Sequence, residues 1–213
     1  MKTIPMLCAL GALLAGCASK PPQPDWKVNA HSALEAYSDA YLKGDTAIAD
    51  TEFARARKDV ASTGRPELVA HAELVRCATR AASLEFDDCP GYAALAQDAT
   101  PAERAYAAYL AGRWQGLDAA QLPEQHRAIV QGKGTLAAIA DPLSRLVAAG
   151  VLMRTEKITP ADIALATDTA SGQGWRRPLL MWLGISLKRA EAAGDPAAVA
   201  RITRRIDLAA GPK

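Results

Sequence analysis

Three histidines, His31, His71 and His126, are the side chains best suited to bind a metal or move a proton in this chain of 213 residues. None stands in an HxxxH or HExxH spacing, the pattern that puts two imidazoles on one helical face. Each is expected as a surface or partly buried helix residue rather than a ligand. Gly132-Lys133-Gly134-Thr135 carries part of a phosphate-loop pattern. It lacks the upstream glycine and follows a helical segment rather than a strand, so a flexible turn is expected. Glu85, Asp87 and Asp88 crowd beside Cys89. Paired carboxylates do acid–base work when a cleft holds them on either side of a bond, and this trio is expected as a solvated loop. No GxSxG occurs, and no Ser or Cys lies in a recognisable nucleophile context. The chain reads as a non-enzyme with no catalytic residue, metal or cofactor.

One stretch has the composition of a binding surface. Trp175-Arg176-Arg177-Pro178 is followed by Lys188, Arg189, Arg201, Arg204 and Arg205, and residues 176–213 hold eight basic and three acidic side chains. A basic end with an accessible tryptophan suits anionic headgroups, an acidic polymer or a negatively charged partner. Trp175, Arg176, Arg177, Arg201, Arg204 and Arg205 are the candidate patch. The competing reading is a solvated helix face, with arginines supporting helix C-termini and Trp175 packed on the next hairpin. The formal charge of the whole chain, +2, is not the footprint of a nucleic-acid binder.

The elements that must position these residues are helices. Half the residues are hydrophobic but only 5% are aromatic, alanine is abundant and β-branched residues are sparse, which favours closely packed helices. Four helix starts share one device, a capping residue followed by proline: Thr100-Pro101, Asp141-Pro142, Thr159-Pro160 and Asp195-Pro196. The cap's oxygen accepts a free backbone N–H, and proline at the first helical position sacrifices no hydrogen bond. Thr100 with Glu103 and Thr159 with Asp162 have the capping-box spacing. Gly44, Gly64, Gly112, Gly172 and Gly194 are expected to end helices. Apolar stripes recur at helical spacing in Leu34, Tyr37, Tyr41, in Leu68, Ala72, Val75, and in Val199, Ile202, Ile206. The fold class is all-α, with stacked antiparallel hairpins or an irregular helical bundle.

The N-terminus has its own signature. Lys2 precedes an apolar run from Met6 to Leu14, which closes on Leu14-Ala15-Gly16-Cys17. The run has signal-peptide length and is too short to span a bilayer. It resembles the lipobox of bacterial lipoproteins, in which the leader, here residues 1–16, is removed and the new terminal cysteine is lipidated. The resemblance implies acylation of Cys17, with two or more chains making attachment effectively stable. Ala18 rather than Asp after the cysteine resembles the pattern sorted to the outer membrane, on its periplasmic face. Residues 17–26, rich in proline, would form a tether holding a domain of residues 27–213 about 25 Å from the bilayer. With Cys8 lost and Cys17 lipidated, Cys77 and Cys89 remain. An even remainder in an oxidising compartment reads as one disulfide, against a redox pair or a metal site.

Ala40-Tyr41-Leu42-Lys43-Gly44 recurs as Ala108-Tyr109-Leu110-Ala111-Gly112, displaced by 68 residues, twice the 34-residue period of the tetratricopeptide repeat. Around the first copy, Leu34, Tyr37 and Tyr41, the Gly44-Asp45 turn, then Ala49, Phe53 and Ala56 resemble that family's hairpin. The turn is one residue short, the segment opening at Pro66 has no glycine at its expected turn, and the stretch after Gly112 lacks a counterpart to Phe53. The resemblance implies a protein-interaction scaffold or assembly factor with an envelope protein as partner. The alternatives are a cell-wall enzyme or regulator, and a binder of a small apolar ligand between helices.

Overall fold

The computed structural model describes residues 23–211, so Cys8, the Leu14–Cys17 motif and the lipidation of Cys17 lie outside the described residues. Among the described residues there are ten α-helices and no strand. The helices are α1 (Asp25–Lys43), α2 (Thr46–Ala61), α3 (Pro66–Ala82), α4 (Pro90–Ala93), α5 (Pro101–Leu110), α6 (Glu124–Val130), α7 (Pro142–Arg154), α8 (Pro160–Gly172), α9 (Arg176–Ala192) and α10 (Pro196–Ala210). No described helix is long and apolar enough to cross a membrane.

Local chemistry sets the helix starts as expected. Thr100, Asp141, Thr159 and Asp195 each accept a backbone N–H three residues on, and both capping boxes are closed. The ends are less regular. Gly44, Gly64, Gly112 and Gly194 take positive φ after their helices. Gly172, however, is the last residue of α8, and the left-handed turn falls on Gly174 instead. Two turns use no glycine. After α3, Leu84 has φ +58, with its N–H donating to the Ala81 carbonyl and that of Glu85 to Arg80. After α7, Glu156 has φ +56, with its N–H donating to Met153 and that of Lys157 to Leu152. Both are the paired C-terminal closure usually built around glycine.

The hairpins α1–α2, α7–α8 and α9–α10 are clean. The middle of the chain is not. No long helix returns along α3; a loop pinned by the Cys77–Cys89 disulfide (Cα–Cα 5.8 Å) leads to the single turn of α4. Residues 111–141 hold only α6 and two 3-10 turns, at Ala119–Gln121 and Leu136–Ala138. The helices close on themselves, because α1 packs on α3, α3 on α7, α7 on α8, α8 on α9, and α9 on α1. An open run of hairpins would not bring the first and last together. The core runs around this ring, through Tyr37, Leu42, Leu74, Tyr109, Leu146, Val151 and Trp182.

Four polar contacts lock the closure. Trp182, fully buried, donates its indole N–H to the Ala82 carbonyl at 3.2 Å. Arg177 donates from Nε to the Tyr41 carbonyl and from Nη2 to Thr46 Oγ1, both at 2.7 Å, with its guanidinium 4.2 Å from the Tyr41 ring centroid. Its Nη1 lies 3.5 Å from Glu85. Charge, a carbonyl at a helix end and an aromatic face converge on one side chain, which is the kind of site arginine fills better than lysine.

Candidate functional site between the ends of α5 and α7

The residues singled out for metal or proton chemistry do not come together. His31 is exposed on α1, 3.4 Å from Glu35. His71 is exposed on α3 at the rim of a cavity of about 490 Å³. His126 is more deeply buried than expected, only 1% exposed, with Nδ1 3.1 Å from the Tyr109 hydroxyl. Burial pulls its imidazole down to about 4, only partly opposed by the Asp141 charge. The Gly132–Thr135 segment is an exposed turn, with only Gly134 packed close to Ala128 and its backbone.

Cys77, Asp87 and Cys89 converge with their donor atoms within 4.8 Å of one another. The sulfurs are bonded to each other, and Asp87 is already engaged by Arg80 at 2.9 Å and by the Cys89 N–H at 3.0 Å. Nor is the carboxylate trio a solvated loop. Glu85 faces Arg80 and Arg177, and Asp87 faces Arg80, so only Asp88 is fully exposed, 3.7 Å from Arg154.

The basic patch is divided. Trp175 is half-buried against the main core, the Arg176 guanidinium lies beside Gly44, and Arg177 is spent on the closure. Arg201, Arg204 and Arg205 remain exposed on α10, near Leu208, which is 83% exposed.

A different cluster of cations and aromatics forms where α5 and α7 end side by side. Gly112, at φ +73, turns the chain sharply after α5, and a Cβ there would sit 2.8 Å from the Thr155 methyl, so both conformation and space call for glycine. The turn presents Arg113, whose N–H donates to the Ala108 carbonyl, and then Trp114. The Trp114 ring stacks on Tyr109 with centroids 6.0 Å apart and planes 11° apart, and its indole N–H donates to the Tyr109 carbonyl at 3.3 Å. From the end of α7 come Arg154 and Lys157. Lys157 places Nζ 4.6 Å from the Trp114 centroid, covering that ring. Arg154 lies 5.6 Å from the centroid of Phe86, which is 40% exposed, and 3.7 Å from the fully exposed Asp88.

Three adjoining cavities share these walls. The first, about 290 Å³, has Ala81, Ala93, Ala96, Ala107 and Leu110 among its lining residues, together with Phe86, Arg113 and Arg154. The second, about 740 Å³, continues past Arg113 and Arg154 to Trp114 and Lys157. The third, about 420 Å³, runs from Trp114 and Lys157 to the Gly132–Thr135 turn. Cations suit two helix C-termini, each worth roughly half a negative charge. Arg113, Arg154 and Lys157 exceed that, and Asp88 is the one carboxylate within ion-pair distance of any of them among the described residues. The site is an open concavity bearing Arg113, Arg154 and Lys157, with Glu85, Asp87 and Asp88 also lining its first cavity and Asp162 its third. Sequence reading missed it because residues 113–114 and 154–157 are some 40 positions apart. The signal available was a cation at or just beyond each helix end.

Compared with family models, curated proteins and solved structures, the chain finds no match.

Proposed function

We propose that this chain is a lipid-anchored, non-enzymatic interaction module of the bacterial cell envelope, which holds a segment of a partner protein along the cavities between α5 and α7. The observation that carries the reading is the run of adjoining cavities in which Arg113 and Lys157 have no carboxylate partner among the described residues. Such a surface is shaped for an extended partner, and the carboxylates lining its first cavity are spent on arginines (Glu85, Asp87) or fully exposed (Asp88) rather than set as an acid–base pair. The address rests on the Leu14–Cys17 motif and on the Cys77–Cys89 bridge, which belongs to oxidising compartments. The tethered end would keep the module at the periplasmic face of the outer membrane.

Photo-crosslinking in living cells tests this. A crosslinking residue at Asp88 or Gln115, both solvent-facing beside the site, is expected to capture a discrete envelope protein, while one at Arg201 on α10 does not. Adducts absent at both positions, or the same at all three, would sink the reading. Cys17→Ala is expected to release the protein from the membrane fraction.

A second reading has its own observation. The cavity of about 490 Å³ between α3 and α5 is lined by Leu74, Val75, Ala102, Tyr106 and Leu122, which suits a small apolar ligand. Native mass spectrometry of protein from cells would show the added mass.

A further inference from the structure

We infer that the ligand of the α5–α7 site is an acidic peptide segment that seats one apolar side chain in the first cavity and sets its carboxylates on Arg113, Arg154 and Lys157. This rests on the interaction-module reading and names the chemistry of its partner. The first cavity, about 290 Å³, is at the lower limit of small-molecule sites, with alanines, Leu110, Phe86 and Tyr92 on one part of its wall and Glu85, Asp87, Asp88, Arg113 and Arg154 on the rest. Its apolar part fits a single leucine- or phenylalanine-sized group, with the arginines at its rim. Two of its lining acids are unavailable, because Glu85 and Asp87 are held by Arg80 and Arg177.

The cations are available. Among the described residues Arg113 and Lys157 have no ion-pair partner, and Arg154 has only Asp88, fully exposed at 3.7 Å. A contact of that kind is worth little and yields readily to an incoming carboxylate. Asp88 then acts as a placeholder, occupying Arg154 until an acidic segment displaces it.

The aromatic geometry argues against a sugar or a nucleobase. Those ligands stack on open ring faces, yet Trp114 has Tyr109 on one side and Lys157 near its ring. Phe86 already carries Arg154. The rings hold the cations in place and leave the charge, with the apolar recess, to do the recognising. An extended peptide meets both demands, since side chains alternate along it and neighbouring cavities can take successive residues.

The test is fluorescence anisotropy on the full chain in detergent micelles. The probe is a labelled decapeptide with a central leucine flanked by glutamates, compared with a glutamine-for-glutamate version, a serine-for-leucine version and a soluble glycan fragment. The acidic leucine peptide is expected to bind, with affinity falling as salt rises. R113E with K157E is expected to weaken it by about tenfold or more, while R201E with R204E leaves it unchanged. Because charge reversal can unsettle helix ends, R113Q with K157Q is measured as well, with circular dichroism verifying the fold. Equal binding of the acidic and glutamine peptides, indifference to the serine change, or binding of the glycan alone overturns the inference. If crosslinks form at Asp88 and Gln115 but no acidic peptide binds, the module stands and this ligand class falls. If the peptide binds and no envelope protein is captured, the ligand chemistry stands and the envelope role falls.

Discussion

His126 is the side chain with the clearest physical cost. Buried beside Tyr109 and held neutral, it has its proton affinity pulled down to about 4 from an ordinary value of 6.5. In the unfolded chain it takes up a proton near 6.5. Between those values the unfolded state binds more protons, so acid favours unfolding. Its contribution is complete above about pH 6.5, declines as pH falls and levels off below about 4, a loss on the order of 3 kcal/mol. Urea midpoints at pH 7.5, 5.5 and 4.5 should show that decline, and His126→Gln should flatten it. A flat profile in the parent protein would contradict the role. The sequence showed that His126 lacked a ligand's spacing. It gave no hint of the burial, which depends on α6 packing over α5, an arrangement without regular periodicity. Leu84 and Glu156 were equally illegible, because a positive φ without glycine leaves no compositional trace.

Helices and their caps are where local chemistry was sufficient. Thr100, Asp141, Thr159 and Asp195 cap as their Pro-following pattern demanded, since the bond spans only three residues. The packing between elements was not written so plainly. Gly150, inside α7, lies against the Ala81 carbonyl where α7 crosses α3, and a Cβ there would collide with it. Alanine is the better helix former by about 1 kcal/mol, so propensity alone predicts that Gly150→Ala stabilises. Overpacking a close crossing costs about 1–3 kcal/mol, and the steric effect should win. A lowered melting temperature for G150A is expected, and a raised one would show that the two helices can separate freely. The proposed binding site depends on the same crossing, because it sets where Arg154 and Lys157 end up relative to Arg113. That explains why the site could not be read from sequence, whereas the basic stretch at 175–205 could be seen but not divided into its buried and exposed halves.

At the scale of the whole molecule, the ring closes through α9. Trp182→Phe keeps most of the buried ring but strips the Ala82 carbonyl of its donor, at a cost of about 1–3 kcal/mol. Arg177→Ala removes at once the contacts of α9 with Tyr41 of α1, Thr46 of α2 and Glu85 after α3. Both variants should lose stability as a single cooperative unit in denaturant melts, with α1 amides losing protection from hydrogen exchange together with those of α9. If α1 kept its protection while α9 lost it, the two ends would be energetically separate despite touching. The all-helical class was legible because no segment alternates with period two, and the apolar stripes at Leu34–Tyr41, Leu68–Val75 and Val199–Ile206 all fall within helices, α1, α3 and α10. Closure was not legible, since Tyr41 and Arg177 meet across 136 positions and nothing local announces it.

The same seam bears on synthesis. A chain delivered N-terminus first has α1 and α3 in place long before Trp182 arrives to cover the end of α3, or Arg177 to cover that of α1. During that interval the aromatic and alanine-rich surfaces that the last hairpin will cover stand open to other chains. Contacts of such long sequence separation also make for slow closure. A stop codon anywhere before residue 183 would therefore yield a product that cannot finish its ring, and such fragments should fall to proteolysis or aggregate rather than persist as smaller folded proteins.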